Sequence, residues 1–118
     1  MAEQKWQNLE IFKKTTKSFL LNFREKCTGN AEDITGWTIY FTMKQHMQDA
    51  DNDAVIKKDI TTHTDPTAGQ TTIELSASDT NVAEGNYYYD IKYKDDEGNI
   101  DIILRGRIKI IKTVTIRE

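Results

Sequence analysis

Apolar and polar residues alternate with a period of two over most of this chain. The longest clean run is residues 85–94, Gly-Asn-Tyr-Tyr-Tyr-Asp-Ile-Lys-Tyr-Lys. It sets Tyr87, Tyr89, Ile91 and Tyr93 on one side of an extended backbone and Tyr88, Asp90, Lys92 and Lys94 on the other. Each inward aromatic buries ~150–250 Å², so this segment is expected to be the central strand around which the others are laid. Phe19, Leu21 and Phe23 repeat the pattern, as do Trp37, Ile39, Phe41 and Met43, then Ile73 and Leu75, then the long run 100–111 with Ile108 and Ile110. Residues 54–60 read as a shorter strand. Residues 6–14 fit two periods: Leu9 and Ile11 alternate like a strand, whereas Trp6, Leu9 and Phe12 recur like a helix, and strand is the reading adopted. No other segment calls for a helix.

The punctuation agrees with an all-β chain. Glycines 29, 36, 69, 85 and 98 fall in proposed turns, which spaces strands about every 8–12 residues. Gly106 sits inside the last strand, between Arg105 and Arg107, and there it signals a bulge or the close approach of another backbone. The polar stretch from Leu75 to Gly85, followed by Tyr87, has the layout of a tyrosine corner, the alternative being a plain aromatic core strand. The expected architecture is a single domain over residues 1–118, an antiparallel β-sandwich of about 7–8 strands with the inward residues above in one core.

Composition narrows the possibilities. With 118 residues the chain can bury a core without staples, and 37% hydrophobic against 30% charged residues suits a thin two-sheet protein with much surface. Cys27 is the single cysteine, so neither an intrachain disulfide nor a thiolate metal cage is available. The first residues lack the apolar run of a secretion signal, and no stretch approaches the ~20 apolar residues of a membrane-spanning helix. A net charge of −3 gives no general affinity for nucleic acid. The expectations are therefore no signal peptide, no nucleic acid and no membrane partner.

Candidate chemistry is sparse. Asp49, Asp51 and Asp53 alternate like the first ligands of a calcium loop, but Ala54 stands where the sharp turn needs glycine and Ile60 where a bidentate glutamate should close the sphere. That loop is expected not to require calcium. His46 and His63 have no companion at ligand spacing and read as loop or strand-end surface; neither lies in a recognisable nucleophile motif, and Cys27 stands alone. No catalytic, cofactor or metal residue is assigned. Arg105, Arg107 and Lys109 share one face of the last strand while the loops at 49–53 and 95–97 are acidic. This arrangement either is a solvated surface or sets the register between neighbouring copies or partners. An open sandwich also leaves unpaired strand edges. The candidate interface is therefore placed on the first and last strands, at Ile11, Ile103, Arg105, Arg107, Lys109 and Ile111.

The ordered set 16–23 (Thr-Lys-Ser-Phe-Leu-Leu-Asn-Phe), 32–44 (Glu-Asp-Ile-Thr-Gly-Trp-Thr-Ile-Tyr-Phe-Thr-Met-Lys), 53–58, 85–91 and 104–110 resembles the immunoglobulin-like domains of tailed-phage and prophage structural proteins, most of all the amino-terminal domain of baseplate upper proteins. The likeness runs from about Leu9 to Val114 and departs from the family at Lys14, where such domains often have a glycine in the first hairpin turn. It implies an immunoglobulin-like sandwich without enzymatic activity, made in the bacterial cytoplasm and located in the virion. It further implies a tail or baseplate role, with docking to other virion proteins or a homo-oligomer. The competing reading is a glycan-binding or adhesion module in which Tyr40, Tyr88 or Trp6 stacks on sugars, with Trp37 assigned to the core. A third is an enzyme that uses the acidic loops with a metal.

Overall fold

The computed structural model describes residues 5–25, 28–46, 48–50 and 54–113. Its strands are β1 (Lys5–Trp6), β2 (Leu9–Phe12), β3 (Lys17–Asn22), β4 (Thr38–Lys44), β5 (Ile56–Ile60), β6 (Gln70–Leu75), β7 (Gly85–Lys94) and β8 (Ile100–Ile111), and a short 3-10 turn spans Pro66–Ala68. The larger sheet runs β1-β8-β7-β4-β5, with β2 also on β8, and the smaller sheet is β3-β6. Two layers in this order form an immunoglobulin-like sandwich, with β4, β7 and β8 as its central three-stranded ladder and β5 extending it. The ambiguous segment at the amino terminus is strand, broken at Gln7 and Asn8.

One hallmark of that fold is kept and another is replaced. The Tyr87 hydroxyl donates to the Ala83 carbonyl at 2.6 Å, a true tyrosine corner closing the β6–β7 connection. In antibody domains the second cysteine of the inter-sheet disulfide lies two residues past the corner tyrosine. Here that place is held by Tyr89. Across it, Phe41 of β4 lies 6.0 Å from the Tyr89 ring and 6.5 Å from the Phe19 ring of the opposite sheet. Packed aromatic rings thus join the layers where a disulfide would. A second aromatic group, Trp37 stacked on Tyr93 at 4.8 Å with Phe23 edge-on, closes one end. The inward residues expected from alternation are buried in one core except Phe19 and Leu21, which are partly open because no described strand covers the outer edge of β3.

Several expectations need correction. The sandwich is not wholly antiparallel, since β1 and β2 run parallel to β8, pairing Leu9 with Ile108 and Ile11 with Ile110. The last strand is therefore interior, flanked by β7 on one side and by β1 and β2 on the other. Ile11 is 2% exposed and belongs to the core, so it cannot meet a partner. Ile103 is the extra residue of a bulge between the pairs Ile91–Leu104 and Lys92–Ile102, which turns it off the charged face and against the core. Ile111 ends the strand half-buried. Lys14 is the described non-glycine residue with positive φ, at 61°, the conformation that a glycine in this turn would take without steric cost.

Gly106 is explained by backbone, as one of its two sequence readings required. A Cβ there would lie 2.0 Å from the Gln7 carbonyl oxygen and 2.7 Å from its carbon. The Gln7 backbone settles into that space. Its N–H donates to the Arg105 carbonyl at 2.8 Å, and its own carbonyl accepts from the Tyr89 hydroxyl at 2.8 Å. Asn8 Oδ1 then accepts from the Arg107 N–H at 3.3 Å, which carries the ladder across the break. Gly106→Ala is expected to push the first strand off β8 and cost about 1–3 kcal/mol, read from urea unfolding. A change below ~0.5 kcal/mol would mean the kink moves aside freely.

Candidate functional site

Alternation that buries one face of the larger sheet exposes the other. Cross-strand register groups its outward residues into rows: Asp59, Tyr40 and Lys92; then Lys57, Thr42, Asp90 and Arg105; then Lys44, Tyr88 and Arg107. Trp6 of β1 is registered with Arg105 and closes the side. All of these residues but Arg107 line a groove of about 440 Å³. Trp6 is half-exposed, its indole N–H donating to Asn8 Oδ1 at 2.9 Å, and the Arg105 guanidinium lies 5.7 Å from the centre of its ring. Arg107 sits 5.9 Å from the Tyr88 ring. A guanidinium is weakly hydrated and stacks on aromatic faces, which stiffens both side chains.

The groove is electropositive on an acidic protein. Lys44, Lys57, Lys92 and Arg105 face only Asp59 and Asp90 among its lining, whereas the whole chain is −3. Arg107 and Lys109 continue the positive strip along β8, exposed as the sequence suggested. Of the expected interface residues, the structure brings Arg105, Arg107 and Lys109 to this face and removes Ile11 and Ile103 from it. The β4 and β5 contributors Lys44, Lys57 and Asp59 were missed. Their outward direction is readable from alternation, but their placement beside Arg105 depends on sheet order.

The β7–β8 connection, residues 95–99, is ordered from within. Asp95 Oδ1 accepts from the N–H groups of Glu97 at 3.0 Å and Asn99 at 2.8 Å, Oδ2 accepts from the Asn99 amide at 3.2 Å, and the Asp95 N–H donates to the Asn99 carbonyl. Desolvation alone would push the Asp95 carboxyl up, but the hydrogen bonds from Asn99, Glu97 and Gly98 outweigh it and hold it below the usual range. Asp96 and Glu97 are left exposed at the tip, and Ile100 beside them is 61% exposed on the lip of the groove.

No family model matches the sequence, and no curated protein matches it. Among solved structures the chain is similar to murine CRIg, at 10% sequence identity and a TM-score of 0.41, over 90% of this chain and 92% of that one. The immunoglobulin-like assignment rests on the strand order and the Tyr87 corner.

Other candidates look different once folded. His63 is not a free surface residue: Nε2 lies 2.8 Å from the Trp37 carbonyl and Nδ1 2.9 Å from the buried Thr71 hydroxyl. A carbonyl only accepts, so Nε2 carries a proton and, in the neutral ring, Thr71 donates to Nδ1. His46 is exposed. Asp49 Oδ2 accepts from the His46 N–H at 3.2 Å, while Asp51, Asp53 and Cys27 lie outside the described residues. Among the described residues no group of three potential ligands is placed to hold a metal ion. A smaller cleft of about 350 Å³, lined by Leu9, Phe19, Leu21, Phe41 and Leu104 among others, opens between the free edge of β3 and the first strand.

Burial pushes the Tyr89 phenol up to about 12, and the same cause raises Tyr87 and Tyr93. In each case the folded pKa lies above the unfolded value, so the contribution is complete below pH ~10 and is lost as pH rises through the folded pKa. The unfolding midpoint should therefore fall between about pH 10 and 12. Tyr89→Phe should make that fall shallower, and an unchanged slope would show that other groups govern it.

Proposed function

We propose that this chain is a non-enzymatic structural module of a tailed-phage or prophage particle, working in the tail or baseplate. It docks other virion proteins or further copies of itself. The docking face is the outer surface of the larger sheet rather than a strand edge. One observation carries this: a groove of about 440 Å³ combines Trp6, Tyr40 and Tyr88 with an excess of cations, one of them an arginine stacked on Trp6. Aromatics and arginine are the residues that dominate protein–protein hot spots. The ordered strand motifs that resemble baseplate domains support the virion setting. The test is to purify particles from the producing strain by density gradient and look for the chain by mass spectrometry. Its absence from particles would remove the virion reading, and binding to virion proteins that survives Trp6→Ala with Tyr88→Ala would remove the docking face.

The second reading is a glycan-binding module, favoured by the convergence of Trp6, Tyr40 and Tyr88 on one groove beside Asp59 and Asp90. Aromatic faces stack on sugar C–H groups while carboxylates accept from hydroxyls. A glycan array in which binding is lost with Tyr88→Ala would put this reading ahead.

A further inference from the structure

The β7–β8 hairpin carries both halves of a complementary contact. Its outward residues Asp90, Lys92 and Arg105 line the electropositive groove, and its tip presents Asp96 and Glu97. The tip is fixed by the Asp95 hydrogen bonds, so little chain entropy is lost when it is captured. Ile100, 61% exposed where the tip meets the groove, offers an apolar contact at the junction. Building on the assembly reading above, we propose that the occupant of the groove is the acidic hairpin tip of a second copy of this chain. Two copies laid face to face with their β7–β8 hairpins antiparallel put each tip over the other's groove. The contact is then the same on both sides and closes as a two-fold dimer. Opposite charge sets the register and speeds encounter, while Trp6 and Tyr88 supply the surface removed from water.

The test is sedimentation of the full chain against concentration, with two charge-reversed forms: Asp96→Lys with Glu97→Lys in the tip, and Lys92→Glu with Arg105→Glu in the groove. Circular dichroism checks that both fold. The native chain should dimerise, and raising salt from about 0.1 to 1 M, which shortens the screening length from ~10 to ~3 Å, should weaken the dimer by at least about tenfold. Each reversed form alone should be monomeric. Mixed, they should pair with one another, because one contact in the heterodimer joins reversed tip to reversed groove and the other joins native tip to native groove. If the groove form loses association but the tip form keeps it, another part of the partner fills the groove, and this inference fails while the assembly reading stands. A native chain that stays monomeric at low salt and high concentration overturns the dimer. Virion proteins that still co-purify with it would then leave the assembly reading intact.

Discussion

Truncating Phe41 to alanine should remove a third or more of a marginal domain's stability, about 3–5 kcal/mol. Phe41 is fully buried, and its ring bridges Phe19 of one sheet and Tyr89 of the other. Loss of a buried phenylalanine costs about 3–5 kcal/mol through lost transfer free energy and the cavity left behind. A domain of this size is stable by only about 5–15 kcal/mol in total. The cost should fall toward the upper end because the site cannot collapse. Its neighbours are held by the β4–β7 ladder, which pairs Phe41 with Ile91, and by the Tyr89 hydroxyl on Gln7. Chemical denaturation should show the shift in midpoint. A loss under about 1 kcal/mol would mean that the two sheets are joined elsewhere.

The second large effect is expected at Ile11. Its place in the first strand suggested a surface contact that Ile11→Lys would disturb while leaving the monomer folded. The structure reverses that expectation. Ile11 is registered with Ile110 and is 2% exposed, so a lysine there must either lose its charge or pull β2 away from β8. The cost should be at least about 3–5 kcal/mol. Hydrogen exchange should show the amides along β8 opening before those of β4, because β8 loses a neighbour whereas β4 does not. If Ile11→Lys instead kept native stability and changed only the association state, the pairing of β2 would be wrong.

Much of the fold was readable because burial on one face of a sheet leaves a period-two record in the chain. Trp37 to Met43 and Tyr87 to Tyr93 are buried as that record says, and the glycine-tyrosine signal at 85–87 proved to be a corner. Face, however, is not neighbour. Leu9 and Ile11 showed a buried side but not the strand they would join, since a parallel partner some hundred residues away leaves no local trace. Ile103 was assigned to the charged face by alternation, and a bulge shifts the phase there. Ile34 is fully buried in a loop, where no period points to it, and its N–H donates to the Pro66 carbonyl. The candidate site divides the same way. Arg105, Arg107 and Lys109 were legible as a strip, but the groove exists only because sheet order sets β4 and β5 beside them.

The parallel pairing of β1 and β2 with β8 also bears on how the protein is made. Leu9 must wait for Ile108, its partner near the other end of the chain. At a synthesis rate of about 5–20 residues per second, that is a delay of roughly 5–20 s. Throughout it β3, β4, β5 and β6 can leave the ribosome and begin to pair, while the first strand has nothing to lie against. Closure of the larger sheet must then be among the last events. A nascent chain halted before β8 emerges would expose Leu9, Ile11 and the inner faces of β4 and β7 to whatever binds unpaired strands, which makes the final dozen or so residues of the sandwich the step at which a chaperone has most to protect.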